Sequence, residues 1–219
     1  MISDEEQCMS TGPTIRRVAV VLFHGFTVLD VYGPVQAFAS CRVQQPDGAR
    51  QPLFELFSMA EQAGVFKPGE GPPSYAEYSF VEAPAYDLLL IPGGFGTRAA
   101  VHNEAFLKHL AEASQRAIIT TTVCTGSALL ARTGILDGRP ATSNKLAWDW
   151  VVQQGPRVRW MRQARWVDDG TIVTSSGVSA GIDMALGLIA RLHGHDMALA
   201  SARNMEYVWH ADAADDPFA

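Results

Sequence analysis

Apolar residues fall in two rhythms along the chain, and the rhythms alternate. Arg17–Phe23 is a nearly continuous apolar run whose β-branched content and length predict a strand buried on both faces. Beyond the His24-Gly25-Phe26 loop, Leu29, Tyr32, Val35, Gln36 and Ala39 step at helical spacing. Thr27 is the predicted N-cap, and Asp30 lies in the first turn, where the helix dipole favours a carboxylate. Gly33-Pro34 interrupts the pattern and predicts an irregular turn. Phe54–Ser58 reads as a second strand, and the glycine- and proline-rich residues 61–80 as a long turn between short edge strands. Asp87–Ile91 is a third strand, ended by Pro92-Gly93-Gly94-Phe95-Gly96. Glu104–Ala113 follows as an amphipathic helix with Phe106, Leu107 and Leu110 facing in. A fourth strand from Ile118 delivers Cys124, and the helix after it stops near Gly134. Ala141-Thr142-Ser143-Asn144 leads into a helix bearing Leu146, Trp148, Trp150 and Val151. Val158–Val167 and Thr171–Thr174 flank Asp168-Asp169-Gly170, a hairpin signal. Ser179 is a second N-cap ahead of the apolar helix Ile182–Leu192, and a last helix covers His195–Tyr207.

Strands alternating with helices predict an α/β fold, a doubly wound, mostly parallel sheet covered on both faces. The expected organisation is a flexible arm over residues 1–16, one domain over 17–208 and a frayed tail over 209–219. In such sheets ligands bind beyond the carboxyl ends of the strands. Asp30, Gly93-Gly94, Cys124 and Gly177-Val178-Ser179 all follow apolar strands, so they gather along one sheet edge. The paired glycines let backbone approach a ligand closely.

Cys124 stands where the β-branched run Ile118–Val123 gives way to Thr125-Gly126-Ser127 and an apolar helix. Strand, sharp turn and helix N-terminus in that order follow the nucleophile-elbow logic known for serine. A thiol there lies at the positive end of a helix dipole, which favours the thiolate. The same stretch reads equally well as a buried structural cysteine.

Composition narrows the classes. The chain has 219 residues, of which 47% are hydrophobic and 18% charged, which suits much buried strand. Its net charge of −6 calls for neither nucleic acid nor an anionic membrane. Cys8, Cys41 and Cys124 have no metal-ligand spacing and no disulfide framework, so a reducing, cytoplasmic setting is expected. Met1–Pro13 is polar and lacks a signal-peptide core, and no apolar run spans a bilayer.

Phe23-x6-Asp30-x2-Gly33-Pro34, Asp87-x3-Ile91-Pro92-Gly93-Gly94, Val123-Cys124-Thr125-Gly126-Ser127 and Gly177-Val178-Ser179-Ala180-Gly181-Ile182-Asp183 together resemble the ThiJ/PfpI superfamily. This group is class I glutamine amidotransferase-like, and the match runs from about Arg17 to about Tyr207. Within it the chain looks most similar to the isonitrile hydratase branch, which has Asp where Asp30 stands, and to the sensor-like domain of certain AraC-type regulators. The resemblance implies a flavodoxin-like sandwich and a homodimer with the cysteine near the interface. Many relatives carry His at the position of Asn144, and others at that of Thr125, so no imidazole is left for a Cys-His pair. That weakens a protease or amidase reading, which needs a base beside the thiol. His24 and His102 lie in loops at the same edge and read as ordinary loop histidines.

If Asp30 contacts Cys124, as the resemblance implies, carboxylate and thiolate repel and hold one proton between them. The expected arrangement puts that proton on Asp30 and the charge on sulfur. The leading expectation is hydration of an isonitrile to an N-substituted formamide, with Cys124 attacking and Asp30 moving protons. Backbone N–H groups near Gly94 and Thr125 would stabilise charge. The Thr125 hydroxyl would face substrate or pack the elbow. Gly93, Gly94, Gly177 and Val178 would bind the small-molecule substrate, with no metal and no organic cofactor.

Two other classes stand beside it. One is a glyoxalase- or deglycase-like activity on small oxoaldehydes, which the missing histidine disfavours. The other is a redox sensor or ligand-binding module, because an accessible low-pKa thiolate oxidises readily. A regulator is not expected, because the chain ends soon after the last helix without a helix-turn-helix segment. Asp183 and Ser179 read as helix caps or buttresses, Lys145 and Arg98 as solvated surface charges, and Trp148 and Trp150 as core, pocket or interface residues. Cys8 and Cys41 have no expected catalytic role.

Overall fold

A computed structural model describes residues 15–219. The arm expected over residues 1–16 thus lies outside the described residues apart from Ile15 and Arg16, and so does Cys8. Seven strands form the main sheet: β1 (Arg16–Val21), β2 (Phe54–Ala60), β3 (Tyr78–Ser79), β4 (Leu88–Ile91), β5 (Ile119–Thr122), β6 (Trp166–Asp168) and β7 (Ile172–Ser175). Their order is β6-β7-β5-β4-β1-β2-β3, and every pairing is parallel except the β6–β7 hairpin. The central strands carry apolar residues and threonines with almost no exposure, as expected of strands covered on both faces.

Seven helices complete the sandwich: α1 (Val28–Ser40), α2 (Thr97–Ala100), α3 (Glu104–Arg116), α4 (Gly126–Arg132), α5 (Trp148–Gln154), α6 (Ala180–His193) and α7 (His195–Asn204). Helices α1, α6 and α7 pack together, and α4 packs against α2, α3 and α5. The chain steps from β1 through α1 to β2 in one direction, and from β4 through α3 to β5 in the other. The reversal falls between β1 and β4, which is where open α/β sheets place their ligands.

Three local expectations change. Helix α1 runs unbroken through Gly33-Pro34. The proline gives up only the hydrogen bond to the Asp30 carbonyl, and tight packing on α6 holds the turn. A Cβ on Gly33 would stand 2.8 Å from Ile182 Cγ1, so the glycine sets the closeness of that crossing. Thr27 and Ser179 occupy N-cap positions, yet neither side chain makes a capping bond. Leu146, expected in the helix, lies outside α5 and is fully exposed.

The tail is not frayed. Asp216 is buried and forms ion pairs with Lys145 at 3.4 Å and with Arg165 at 3.5 Å. Arg165 also grips Asp183 Oδ2 with two nitrogens, at 2.8 and 2.6 Å. Asp183 Oδ1 accepts from the Tyr207 hydroxyl and from His210 N–H, and Ala213 O accepts from Arg165 N–H. The polar composition of the tail conceals this anchor, because its acidic side chain meets cations from distant elements. Asp183 is therefore a buttress, as one of its two expected roles had it.

Candidate active site

Four adjacent strands, β7, β5, β4 and β1, end at the same level, and their following loops bring the predicted residues together. Cys124 follows β5, with β4 on one side and β7 on the other. Its backbone is left-handed, φ 57°, so the chain turns sharply from strand into α4. The turn is pinned on all sides. Cys124 N–H donates to Ser176 O at 3.0 Å, and Cys124 O accepts from Ser143 Oγ at 2.8 Å and from Ser127 Oγ at 3.2 Å. Across from it Val178 is also left-handed, φ 45°, a costly conformation for a β-branched residue. Strain of this kind persists only where surroundings enforce it, and it collects at functional sites.

Asp30 comes from the first turn of α1 and is fully buried. Its Oδ2 accepts the Gly93 N–H at 2.9 Å, its Oδ1 is buried without a hydrogen-bond partner, and the carboxyl and the Cys124 thiol shift each other's pKa. A Cβ on Gly93 would stand 2.9 Å from Cys124 Cβ and 2.5 Å from Thr125 N, so only glycine lets the β4 loop lie this close to the elbow. Burial pushes the Asp30 pKa up from 3.8 to about 7, against smaller lowering effects from the Gly93 N–H and from Cys124. Cys124 is 5% exposed. Burial first, and the Asp30 charge second, push its thiol up to about 12. The N–H groups of Thr125 and Val178 and the side chain of Asn144 oppose that rise.

Both shifts are upward, so the corner disfavours either anion, and Asp30 and Cys124 hold a proton between them as a pair. The reason is desolvation, which penalises both anions and outweighs the helix dipole of a seven-residue helix.

Other expectations also shift. The Thr125 hydroxyl accepts from Gly94 N–H at 3.0 Å and meets Thr97 Oγ1 at 3.2 Å, so it packs the elbow and does not face a ligand. Gly93 and Gly94 are buried behind the elbow with both N–H groups already bonded, so neither offers a free donor to substrate. Gly177 and Val178, by contrast, line an open cavity of about 430 Å³ together with Asn144 and Phe218. His24 accepts Lys67 N–H and borders a different cavity, and His102 does not reach the sulfur or Asp30. Cys41 is buried, its thiol raised to about 11, away from this corner.

Asn144 is the residue the sequence reading left out of the site. Its Oδ1 accepts Ala147 N–H at 2.8 Å, which turns its amide nitrogen to the sulfur. Its position in a segment where relatives carry His was the available signal. Lys145 and Arg98 are not solvated charges. Lys145 Nζ is buried against Thr142, Ala164 and Asp216. Arg98 lies on the Trp150 ring, 3.9 Å from its centroid.

Residues 16–191 match the DJ-1/PfpI family. The chain belongs to the DJ-1/PfpI family. Isonitrile hydratase of Pseudomonas putida is 30% identical over 193 residues, 87% of this chain and 78% of that protein. The transcriptional regulator CdhR of Pseudomonas aeruginosa is 35% identical over 113 residues, 52% of this chain but 33% of the regulator. Among solved structures, a ThiJ/PfpI family protein of Pseudomonas syringae superposes with a TM-score of 0.77 at 27% identity, covering 94% of this chain and 84% of that one. The fold is therefore the flavodoxin-like sandwich of this family. No helix among the described residues is long and apolar enough to cross a membrane.

Proposed function

We propose that this DJ-1/PfpI protein is a cysteine-dependent hydratase that adds water to an isonitrile and releases an N-substituted formamide. One observation carries the reading: the Asp30 carboxyl and the Cys124 thiol share a buried corner that no imidazole touches among the described residues. The similarity to isonitrile hydratase supports the same choice. An isonitrile carbon must gain a proton before it accepts a nucleophile, so the reaction wants an acid beside a thiol.

Asp30 near pKa 7 fits that need as a two-way relay. It gives its proton to the isonitrile carbon and takes the thiol proton as sulfur bonds to that carbon. S–H and the carbon lone pair become C–S and C–H, giving a thioimidate with Asp30 again protonated. Asp30 then protonates the imine nitrogen and accepts a proton from the water that attacks the same carbon. Last, it passes the hydroxyl proton to sulfur as the C–S bond breaks and the formamide C=O forms. No net charge builds up in a corner that disfavours both anions. The N–H groups of Thr125 and Val178 and the Asn144 amide steady the sulfur whenever negative charge gathers there.

A second reading draws on the same titration. A base near neutral pKa is what proton shuffling on a hemithioacetal requires, so Asp30 also supports glyoxalase-like work on small oxoaldehydes. The expected homodimer and cytoplasmic setting belong to the proposal; light scattering of the purified chain tests the former.

The test is direct. Purified protein is incubated with a simple alkyl isonitrile, with methylglyoxal in parallel. Formamide above a Cys124→Ala control is expected. Lactate without formamide would transfer the proposal to the second reading.

A further inference from the structure

Arg98 follows the Pro92–Gly96 loop and has no ion-pair partner among the described residues. Six arginines, at 16, 17, 139, 157, 165 and 191, each pair with a carboxylate, whereas Arg98, like seven further arginines, pairs with none among the described residues. Its guanidinium instead lies over the Trp150 indole at 3.9 Å and near the Phe95 ring at 5.3 Å. Stacking of this kind occupies the faces of the plane and leaves the edge donors directed outward. One edge nitrogen, Nη1, donates to Thr97 Oγ1 at 3.3 Å. That hydroxyl meets Thr125 Oγ1, so two hydrogen bonds join the guanidinium to the residue after Cys124.

The charge reaches the sulfur. Burial lowers the Arg98 pKa, and the Cys124 charge raises it, so the two groups interact. A half-buried cation without a counter-ion is costly, and the aromatic platform repays only part of that. Phe95 on the same loop is 84% exposed. An anion arriving at Cys124 would complete the pairing that none of the described residues supplies.

We infer that Arg98, held flat on Trp150, gives this site its substrate class: small electrophiles that carry a carboxylate, isocyano acids ahead of neutral isonitriles. The inference rests on the proposed hydratase reading for the word isocyano, while the preference for an anion stands on the geometry around Arg98. Arg98 is here a binding residue and takes no part in proton transfer. The guanidinium fork matches a carboxylate with two parallel hydrogen bonds, which a lysine could not reproduce.

The experiment alkylates Cys124 in the reduced full chain with iodoacetate and, separately, with neutral iodoacetamide, and reads the rates by peptide mass at low salt. The ratio of the two rates is normalised to the ratio for glutathione. Dividing one reagent by the other cancels any change in the nucleophilicity of sulfur. The normalised ratio is expected to exceed unity by about tenfold, the size of one charge-assisted contact, and to return to near unity in Arg98→Met. A wild-type ratio near unity, or a high ratio that survives Arg98→Met, overturns the inference.

Should that variant fail to fold, protection of the wild type decides. Isocyanoacetate is expected to slow iodoacetamide labelling of Cys124 at concentrations where its methyl ester does not. Equal protection by acid and ester overturns the inference. Labelling requires no turnover, so a high ratio without formamide would sink the hydratase reading and leave the anion site standing. Formamide formation with a flat ratio would do the reverse.

Discussion

Asn144 presents its amide nitrogen to the Cys124 sulfur because its oxygen is already committed to the Ala147 N–H, at 2.8 Å. A Cβ on Gly177 would collide with that amide, so the glycine preserves the room in which it lies. The arrangement separates two jobs of one side chain. Asn144→Asp keeps the acceptor for Ala147 but replaces the donor to sulfur with an anionic oxygen. Alkylation of Cys124 by iodoacetamide at pH 8 is expected to slow by about tenfold or more, one pKa unit of thiolate lost. The urea midpoint should move little. Asn144→Ala loses both bonds and should also cost about 1 kcal/mol of stability, the usual net worth of a hydrogen bond. Undiminished alkylation in Asn144→Asp would show that the sulfur does not depend on the amide.

Asp30 makes stability and activity depend on pH in the same direction. Its folded pKa, about 7, lies above its ordinary 3.8. The folded state therefore binds the proton more tightly than the unfolded one. That contribution is complete below about pH 4 and disappears as pH rises through about 7. Asp30→Asn stays neutral throughout. Its stability relative to wild type should climb between pH 4 and pH 8, by roughly 4 kcal/mol at most, as urea melts at several pH values would reveal. A gap that stays constant with pH would contradict the titration.

The proposed relay starts from protonated Asp30, so kcat/KM for an isonitrile should fall as pH rises through about 7. Asp30→Asn should lower kcat by roughly a hundredfold or more, the range assigned to a positioned acid–base group. A rate that increases with pH up to 9 would instead assign the work to an ionised sulfur.

Thr125 offers a contrast between scaffold and chemistry. Its hydroxyl satisfies the buried Gly94 N–H. Thr125→Val leaves that donor unpaired and should cost about 1–3 kcal/mol, while Thr125→Ser retains the bond and most of the stability. The Thr125 N–H to sulfur is backbone and survives both changes. Once folded, Thr125→Ser should therefore alkylate at close to the wild-type rate. A large loss there would return the hydroxyl to the substrate side.

Asp216 tests the anchoring of the tail. Asp216→Ala removes a carboxylate from two buried cations, Lys145 and Arg165. Lys145 keeps its bonds to Thr142 and Ala164, and Arg165 keeps Asp183. The expected loss is about 3 kcal/mol, read as a lower urea midpoint, with faster proteolysis after Trp209. No measurable change would mean that the tail is only resting on the surface.

Much of the molecule was legible without coordinates, and for a definite reason. Periodicity is local, so the runs at Arg17–Phe23, Asp87–Ile91 and Ile118–Val123 declared their strands. The same is true of the turn at Cys124, because a β-branched strand followed by small residues and an apolar helix has few ways to fold. Their convergence followed from topology, since loops after adjacent parallel strands meet at one edge. What the sequence could not decide is everything that depends on neighbours through space. Burial, not local sequence, raised both the Cys124 thiol and the Asp30 carboxyl, the latter to about 7. Prior commitments closed the Gly93 and Gly94 N–H groups to substrate. Arg98 met Trp150, and Asp216 met Lys145 and Arg165, only once the chain had folded. Strand and helix are set by short-range sterics and apolar spacing, whereas the ionisation and partners of a side chain are set by what the whole fold packs around it.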